Sequence, residues 1–175
     1  REIIPHAADV LESAVLVHGT FVTVYLEDAH SRLRLFARDG VSTGEIPLPA
    51  LGTAAELSAE SEHDTELFFA FTTYLAPTTI YRHEFPSGRT DVFQAASLDF
   101  DAAPYITEQV FYTSPDGTRI PMYLTHRRDL RRDGTTPTYL YGYGGFDITL
   151  TPAFSPSVLV WLCLLYTSPS PRDAH

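Results

Sequence analysis

Apolar and polar positions alternate along the first hundred residues in short runs, and turn residues separate many of the runs. Arg32-Leu33-Arg34-Leu35-Phe36 has the two-residue period of a strand with one buried face. Val10-Leu11, Ala14-Val15-Leu16-Val17 and Phe21-Val22-Thr23-Val24-Tyr25-Leu26 are rich in β-formers and are interrupted at His18-Gly19. Asp39-Gly40 marks a turn, and Ile46-Pro47-Leu48 carries a proline that suits an edge strand. The rhythm then repeats. Ala55-Glu56-Leu57 is a weak run, Glu66-Leu67-Phe68-Phe69-Ala70-Phe71 a strong one, and Thr79-Ile80-Tyr81-Arg82-His83-Glu84-Phe85 alternates. Ser87-Gly88 turns the chain into Asp91-Val92-Phe93. Two sets of about four strands, each spanning roughly forty residues, match the period of β-propeller blades. A generic β-sandwich fits the same alternation.

From Leu98 to Pro104 the rhythm stops at Asp99, Asp101 and Pro104, and a domain boundary is expected there. A hairpin follows. Gln109-Val110-Phe111-Tyr112-Thr113 and Arg119-Ile120-Pro121-Met122-Tyr123-Leu124 flank the turn Ser114-Pro115-Asp116-Gly117. The run from Pro137 to Tyr141 reads as a strand and leads into Gly142-Tyr143-Gly144-Gly145-Phe146. Glycines here admit backbone angles that other residues avoid and let another group come close. A strand ending in such a loop is where α/β enzymes often place donors for a reacting group. Ser155 and Pro156 suit the cap and first position of a short apolar helix.

Composition narrows the partners. The 175 residues carry a net charge of -10, which argues against nucleic acid and against an anionic membrane surface. Cys163 is the sole cysteine, so no disulfide framework exists, in keeping with a cytoplasmic location. Arg1-Glu2-Ile3-Ile4-Pro5 has no secretory pattern, and no apolar stretch reaches the length of a membrane span. The sole methionine is Met122, so the chain is expected to begin inside a longer protein. Residues Cys163 to His175 abandon the preceding rhythm and are expected to be a non-native tail.

The chemistry-bearing residues give few motifs. Gly40-Val41-Ser42-Thr43-Gly44 matches the G-x-S-x-G of a nucleophile elbow. An elbow needs a strand before the serine and a helix after it, whereas Pro47 and Pro49 follow here, so Ser42 is rejected. The histidines are scattered and no H-x-x-x-H or C-x-x-C pair occurs, so neither a metal nor a cofactor is expected. Arg127, Arg128, Arg131 and Arg132, interleaved with Asp129 and Asp133, offer a phosphate site or, more simply, a solvated loop. His126 beside them reads as a surface residue.

These stretches together resemble the prolyl oligopeptidase family over roughly residues 1 to 162. The densest likeness is Phe111-Tyr112-Thr113-Ser114-Pro115-Asp116-Gly117-Thr118-Arg119-Ile120-Pro121-Met122, followed by Leu140-Tyr141-Gly142-Tyr143-Gly144-Gly145-Phe146 and Leu150-Thr151-Pro152-Ala153-Phe154-Ser155. Phe71-Thr72-Thr73-Tyr74-Leu75-Ala76-Pro77 is similar to the last propeller blade of that family. Gly144-Gly145-Phe146 resembles the prolyl branch rather than oligopeptidase B, which carries a serine soon after these glycines.

The resemblance implies a seven-bladed β-propeller capping an α/β-hydrolase domain. Residues 1–97 would be the last blades, 98–162 the start of the catalytic domain and 163–175 the non-native tail. It implies a serine endopeptidase acting on short proline-containing peptides, monomeric at full length. Tyr143 matches the oxyanion-hole tyrosine, and Phe146 an aromatic lining the pocket for the substrate proline. The nucleophile, acid and base would lie outside these residues, leaving the chain inactive alone. Taken from the residues alone, Tyr143 and Phe146 could simply pack. A non-catalytic propeller binding a partner, or a related aminopeptidase or esterase, remains the alternative.

Overall fold

The computed structural model describes residues 2–146 and 148–164. Residues 165–175, most of the stretch expected to be non-native, lie outside the described residues. The first sheet is formed by β1 (Val10–Val17), β2 (Thr20–Glu27), β3 (His30–Ala37) and β4 (Ser42–Ile46), antiparallel and in chain order. The second repeats that plan with β5 (Thr53–Ser58), β6 (Glu66–Thr72), β7 (Thr79–Glu84) and β8 (Arg89–Ala95). Neighbours in sequence are neighbours in space, the meander of a propeller blade. The two blades occupy the stretches where the alternation repeats.

Two runs in the first blade are differently bounded than the sequence implies. Val10-Leu11 and Ala14–Val17 are one strand, bent by a register shift between Leu11 and Ser13. The edge strand ends at Ile46 instead of running through Leu48. Pro47 has no N–H to continue a ladder, which fits the strand stopping before it.

The core lies between the blades. Val17, Val22, Val24, Leu33 and Ile46 of the first sheet meet Ala54, Leu67, Phe69 and Phe71 of the second, all buried. β2 is covered on both faces, so its consecutive residues Val22 to Tyr25 are all buried. The buried Thr23 hydroxyl among them donates to the Arg34 carbonyl at 2.9 Å, which satisfies it inside the sheet. Buried Ser31 stitches the sheets: its N–H donates to the Gly52 carbonyl at 3.0 Å and its Oγ accepts from the Ala54 N–H at 3.0 Å. Gly52 lies close against β6 of its own blade, where a Cβ would stand 2.5 Å from the Thr72 carbonyl oxygen.

Within the second blade His83 is 5% exposed, and its Nδ1 lies 2.8 Å from the Thr90 hydroxyl. Burial holds its pKa below the ordinary 6.5. The unfolded chain therefore takes up the proton first as pH falls. His83 favours folding above the ordinary histidine range, and that contribution drains away below it. Unfolding free energies from urea titrations between pH 7.5 and 5 should fall by no more than about 1.4 kcal/mol per pH unit from this one group. His83→Gln should flatten that slope, and an unchanged slope would remove His83 as its source.

β9 (Tyr105–Thr113) and β10 (Arg119–Arg127) form the expected hairpin, longer than the sequence suggested. Its turn is set by Asp116, whose Oδ1 accepts from the Thr118 N–H at 3.0 Å and from the Ser114 hydroxyl. These bonds, the hydroxyl's first, pull the Asp116 carboxyl down to about 2. The hairpin leans on the first blade: Gln109 Nε2 and the Tyr123 hydroxyl both donate to the Asp28 carbonyl, at 2.6 and 3.1 Å. Tyr123 also meets the Tyr74 ring, and burial pushes its phenol pKa up.

α1 (Pro156–Leu164) begins at the expected proline. Leu159 and Leu162 pack with Tyr105, flanked by Leu75, Phe100, Phe154 and Val158. The last helix thus sits against the second blade and the start of the hairpin. Among the described residues, no helix is long and apolar enough to cross a membrane.

Candidate functional site

The glycine-rich loop is the stretch with the densest candidate chemistry. The run from Pro137 to Tyr141 does not form the expected strand; it is unpaired. A strand is completed by ladder hydrogen bonds to a neighbour, and no described strand lies alongside. Apolar alternation alone therefore marks a segment able to join a sheet, without providing the sheet.

The loop turns where the glycines stand. Gly144 has φ 65°, the left-handed region that glycine enters without penalty. Phe146 shares that region at φ 55°, an uncommon state for a bulky residue. The Ile148 N–H closes the turn on the Gly145 carbonyl at 3.1 Å. Tyr143 is 50% exposed and Phe146 91% exposed. Both stand on one tight turn, and neither is enclosed in a pocket by the described residues.

Two anchors hold the arms of this loop. On the N-terminal side Tyr139 stacks on Tyr141 and on Trp161 of α1, with interplanar angles of 7° and 9°. On the C-terminal side Pro152 is fully buried. Its carbonyl accepts from the Thr53 hydroxyl at 2.7 Å, and the Phe154 N–H donates to Thr72 Oγ1 at 3.3 Å. Thr53 and Thr72 face each other across β5 and β6. Sequence reading misses both anchors. Each joins residues far apart in the chain, 99 and 82 positions for the two threonine contacts, and local patterning carries no signal for them.

The rejected and minor candidates find their places as well. Ser42 lies exposed in β4 opposite Phe36, with no helix after it. Among the described residues no serine hydroxyl is hydrogen-bonded to a histidine ring. His126 is half-buried in the hairpin, not a surface residue. Its Nδ1 faces the Arg127 carbonyl at 2.6 Å and therefore carries the proton, since a carbonyl can only accept. Its Nε2 lies 3.1 Å from Arg132 and 3.3 Å from Glu108, so neither ring nitrogen is open to a substrate. Three of the four arginines of the run are engaged within the protein: Arg127 pairs with Asp129 at 2.9 Å, Arg128 donates to the Ala103 carbonyl at 2.9 Å, and Arg132 pairs with Glu108. That arrangement favours the structural reading over a phosphate site.

Known proteins match this chain along most of its length. The family model of the prolyl oligopeptidase N-terminal beta-propeller domain covers residues 1–96. A prolyl endopeptidase of Elizabethkingia miricola is 42% identical over 144 residues, which is 82% of this chain and 20% of that protein. A prolyl oligopeptidase of Omphalotus olearius is 33% identical over 91% of this chain and 22% of its own length. A solved prolyl endopeptidase superposes with a TM-score of 0.82 at 36% identity, covering 93% of this chain and 24% of that one. Prolyl oligopeptidase B from Galerina marginata, solved with a 35mer hydrolysis and macrocyclization substrate, gives 0.81 at 28% identity, covering 93% of this chain and 24% of its own. The chain spans about a fifth of the length of the curated relatives it matches.

Proposed function

We propose, since this chain belongs to the prolyl oligopeptidase family, that it is part of a serine endopeptidase that cuts short peptides after proline. The observation that carries this reading is the reach of the likeness. The propeller family model ends at residue 96, yet the likeness to a solved prolyl endopeptidase covers 93% of the chain. A propeller serving only as a binding module has no need of the hairpin, the glycine-rich loop and α1 that follow the blades. In this reading residues 1–97 are propeller blades and 98–162 open the catalytic domain.

Tyr143 is then the oxyanion donor. A serine elsewhere in the longer protein attacks the carbonyl carbon of the proline itself. The carbonyl oxygen gains negative charge, and the Tyr143 phenol donates a hydrogen bond to it. Such a donor works because it is aimed in advance where water is excluded. Collapse of the serine adduct breaks the C–N bond and expels the protonated amine, leaving an acyl-enzyme ester that water hydrolyses to free the acid and the serine. Phe146 supplies a flat apolar wall for the proline ring, which has no N–H to satisfy.

The test is cleavage of short chromogenic peptides by the full-length protein. Peptides with proline before the scissile bond should be cut, and the same peptides with alanine there should be poor substrates. Equal turnover of both, or none of either, would defeat the reading. Phe146→Ala should lower kcat/KM for the proline peptides by about ten- to a hundredfold, the scale of apolar-pocket contacts. An equal loss on the alanine peptides would instead make Phe146 structural. The 175 residues alone should leave every such peptide intact, because the oxyanion donor has no nucleophile to serve. Cleavage by the pure chain would sink that expectation.

A further inference from the structure

The segment that follows the candidate loop is held by the propeller through its backbone. Thr53 begins β5 and Thr72 ends β6, and the two are directly opposed in register. Opposed residues of antiparallel strands put their side chains on the same face. Two hydroxyls therefore stand side by side at one edge of the second blade. One donates to the Pro152 carbonyl at 2.7 Å, and the other accepts from the Phe154 N–H at 3.3 Å. Pro152 is fully buried between them and the rest of the fold, so its carbonyl depends on this partner. The Thr72 hydroxyl is itself oriented by donating to the Ala76 carbonyl at 3.2 Å.

Phe146 is followed within a few residues by this anchor. The other arm is braced by Tyr139 on Trp161, and α1 carrying Trp161 starts at Pro156, two residues after Phe154. Loop position is thus set from both sides, and one side is set by the propeller. Gly52 is part of the device. A side chain there would meet the Thr72 carbonyl and the Phe71 ring, pushing β5 and its Thr53 away.

We propose that Thr53 and Thr72 are positioning residues for the candidate active site: their hydroxyls clamp Pro152 and Phe154 and so fix where Tyr143 and Phe146 stand. The propeller is then a structural contributor to the chemistry as well as a cover. This rests on the reading of Tyr143 and Phe146 given above. Displacing reacting groups by about 1 Å can cost up to a hundredfold in rate, so a loosened loop should be visible in turnover.

The experiment uses the full-length peptidase with Thr53→Val, Thr72→Val, the double variant, and the two Thr→Ser controls. Valine keeps the shape and removes the hydroxyl; serine keeps the hydroxyl. Hydrogen exchange is followed in the peptide spanning residues 150–155, alongside kcat and KM on a proline peptide. The valine variants should exchange faster there and lose about tenfold or more in kcat. The serine variants should behave as wild type in both measurements. Faster exchange with unchanged kcat, or no change in exchange, would overturn the clamp. So would serine variants as impaired as valine ones, since shape rather than the hydroxyl would then matter. If a valine variant fails to fold while its serine counterpart does not, the other single-site valine variant carries the comparison. Failure of the wild type to cut any proline peptide would strike the functional reading, whereas the exchange result tests the clamp by itself.

Discussion

Tyr143→Phe in the full-length peptidase is expected to lower kcat by about a hundred- to a thousandfold, the usual loss for one oxyanion donor. The substitution keeps the ring and removes a single hydroxyl. Ground-state binding of the peptide should therefore change little, and KM should stay within about threefold. The loss belongs to the transition state, because negative charge develops on the carbonyl oxygen there and not in the bound substrate. In the proposed mechanism the loop delivers such a group. Gly144 supplies the left-handed turn at φ 65°, and the anchors at Tyr139 and Pro152 keep the turn in place. Tyr143 is half exposed in this structure, so removing its hydroxyl strands no buried partner. A melting temperature equal to wild type should accompany the loss. A kcat within twofold of wild type would take Tyr143 out of the mechanism.

Phe69→Ala should be the most damaging of the core substitutions, at about 3–5 kcal/mol. Phe69 is 1% exposed at the centre of the face where the two blades meet. It also stacks on Tyr81, with ring centroids 5.5 Å apart and planes 14° from parallel. Truncation removes that contact and leaves a cavity that two stiff sheets cannot easily close. Thermal unfolding followed by circular dichroism should move down by on the order of 10 °C. Val41→Ala, at a turn residue 61% exposed, serves as the comparison and should shift stability by no more than about 0.5 kcal/mol. A Phe69 variant as stable as that control would mean the blades do not depend on their shared face.

The contrast between these two sites marks what a single sequence can and cannot carry. The blade strands were legible because a half-buried strand writes its own geometry into a two-residue period. Arg32 to Phe36 alternates, and β3 follows it. The hairpin was legible because Ser114-Pro115-Asp116-Gly117 is a turn whose side chains bond their own backbone. The helix start at Pro156 was legible for a similar local reason. The loop residues Tyr143 and Phe146 were found through a resemblance spanning several motifs, since glycine clusters by themselves are common. In each case the information is local, or is a long pattern held in one stretch.

Where the reading failed, the deciding partner was distant. Pro137 to Tyr141 has the composition of a strand, yet no described strand pairs with it. His126 looked like a surface residue, and the opposite strand covers it with Glu108 while Arg132 folds back onto both. Thr53 and Thr72 carry no local signal of their role, and register sets them opposite each other against Pro152 and Phe154.

The sequence by itself determined the two repeated blades, the hairpin, the helix start and the pair of aromatics on the glycine turn. The blades, hairpin and helix start follow from backbone preferences and from the burial of one face, which act over a few neighbouring residues, whereas the aromatics were marked by the family resemblance. The tertiary structure alone decided which faces meet, which hydroxyls hold the loop and which apolar run stays unpaired. Those depend on contacts between segments many tens of residues apart. The free energy of such contacts exists only once both segments are already in place.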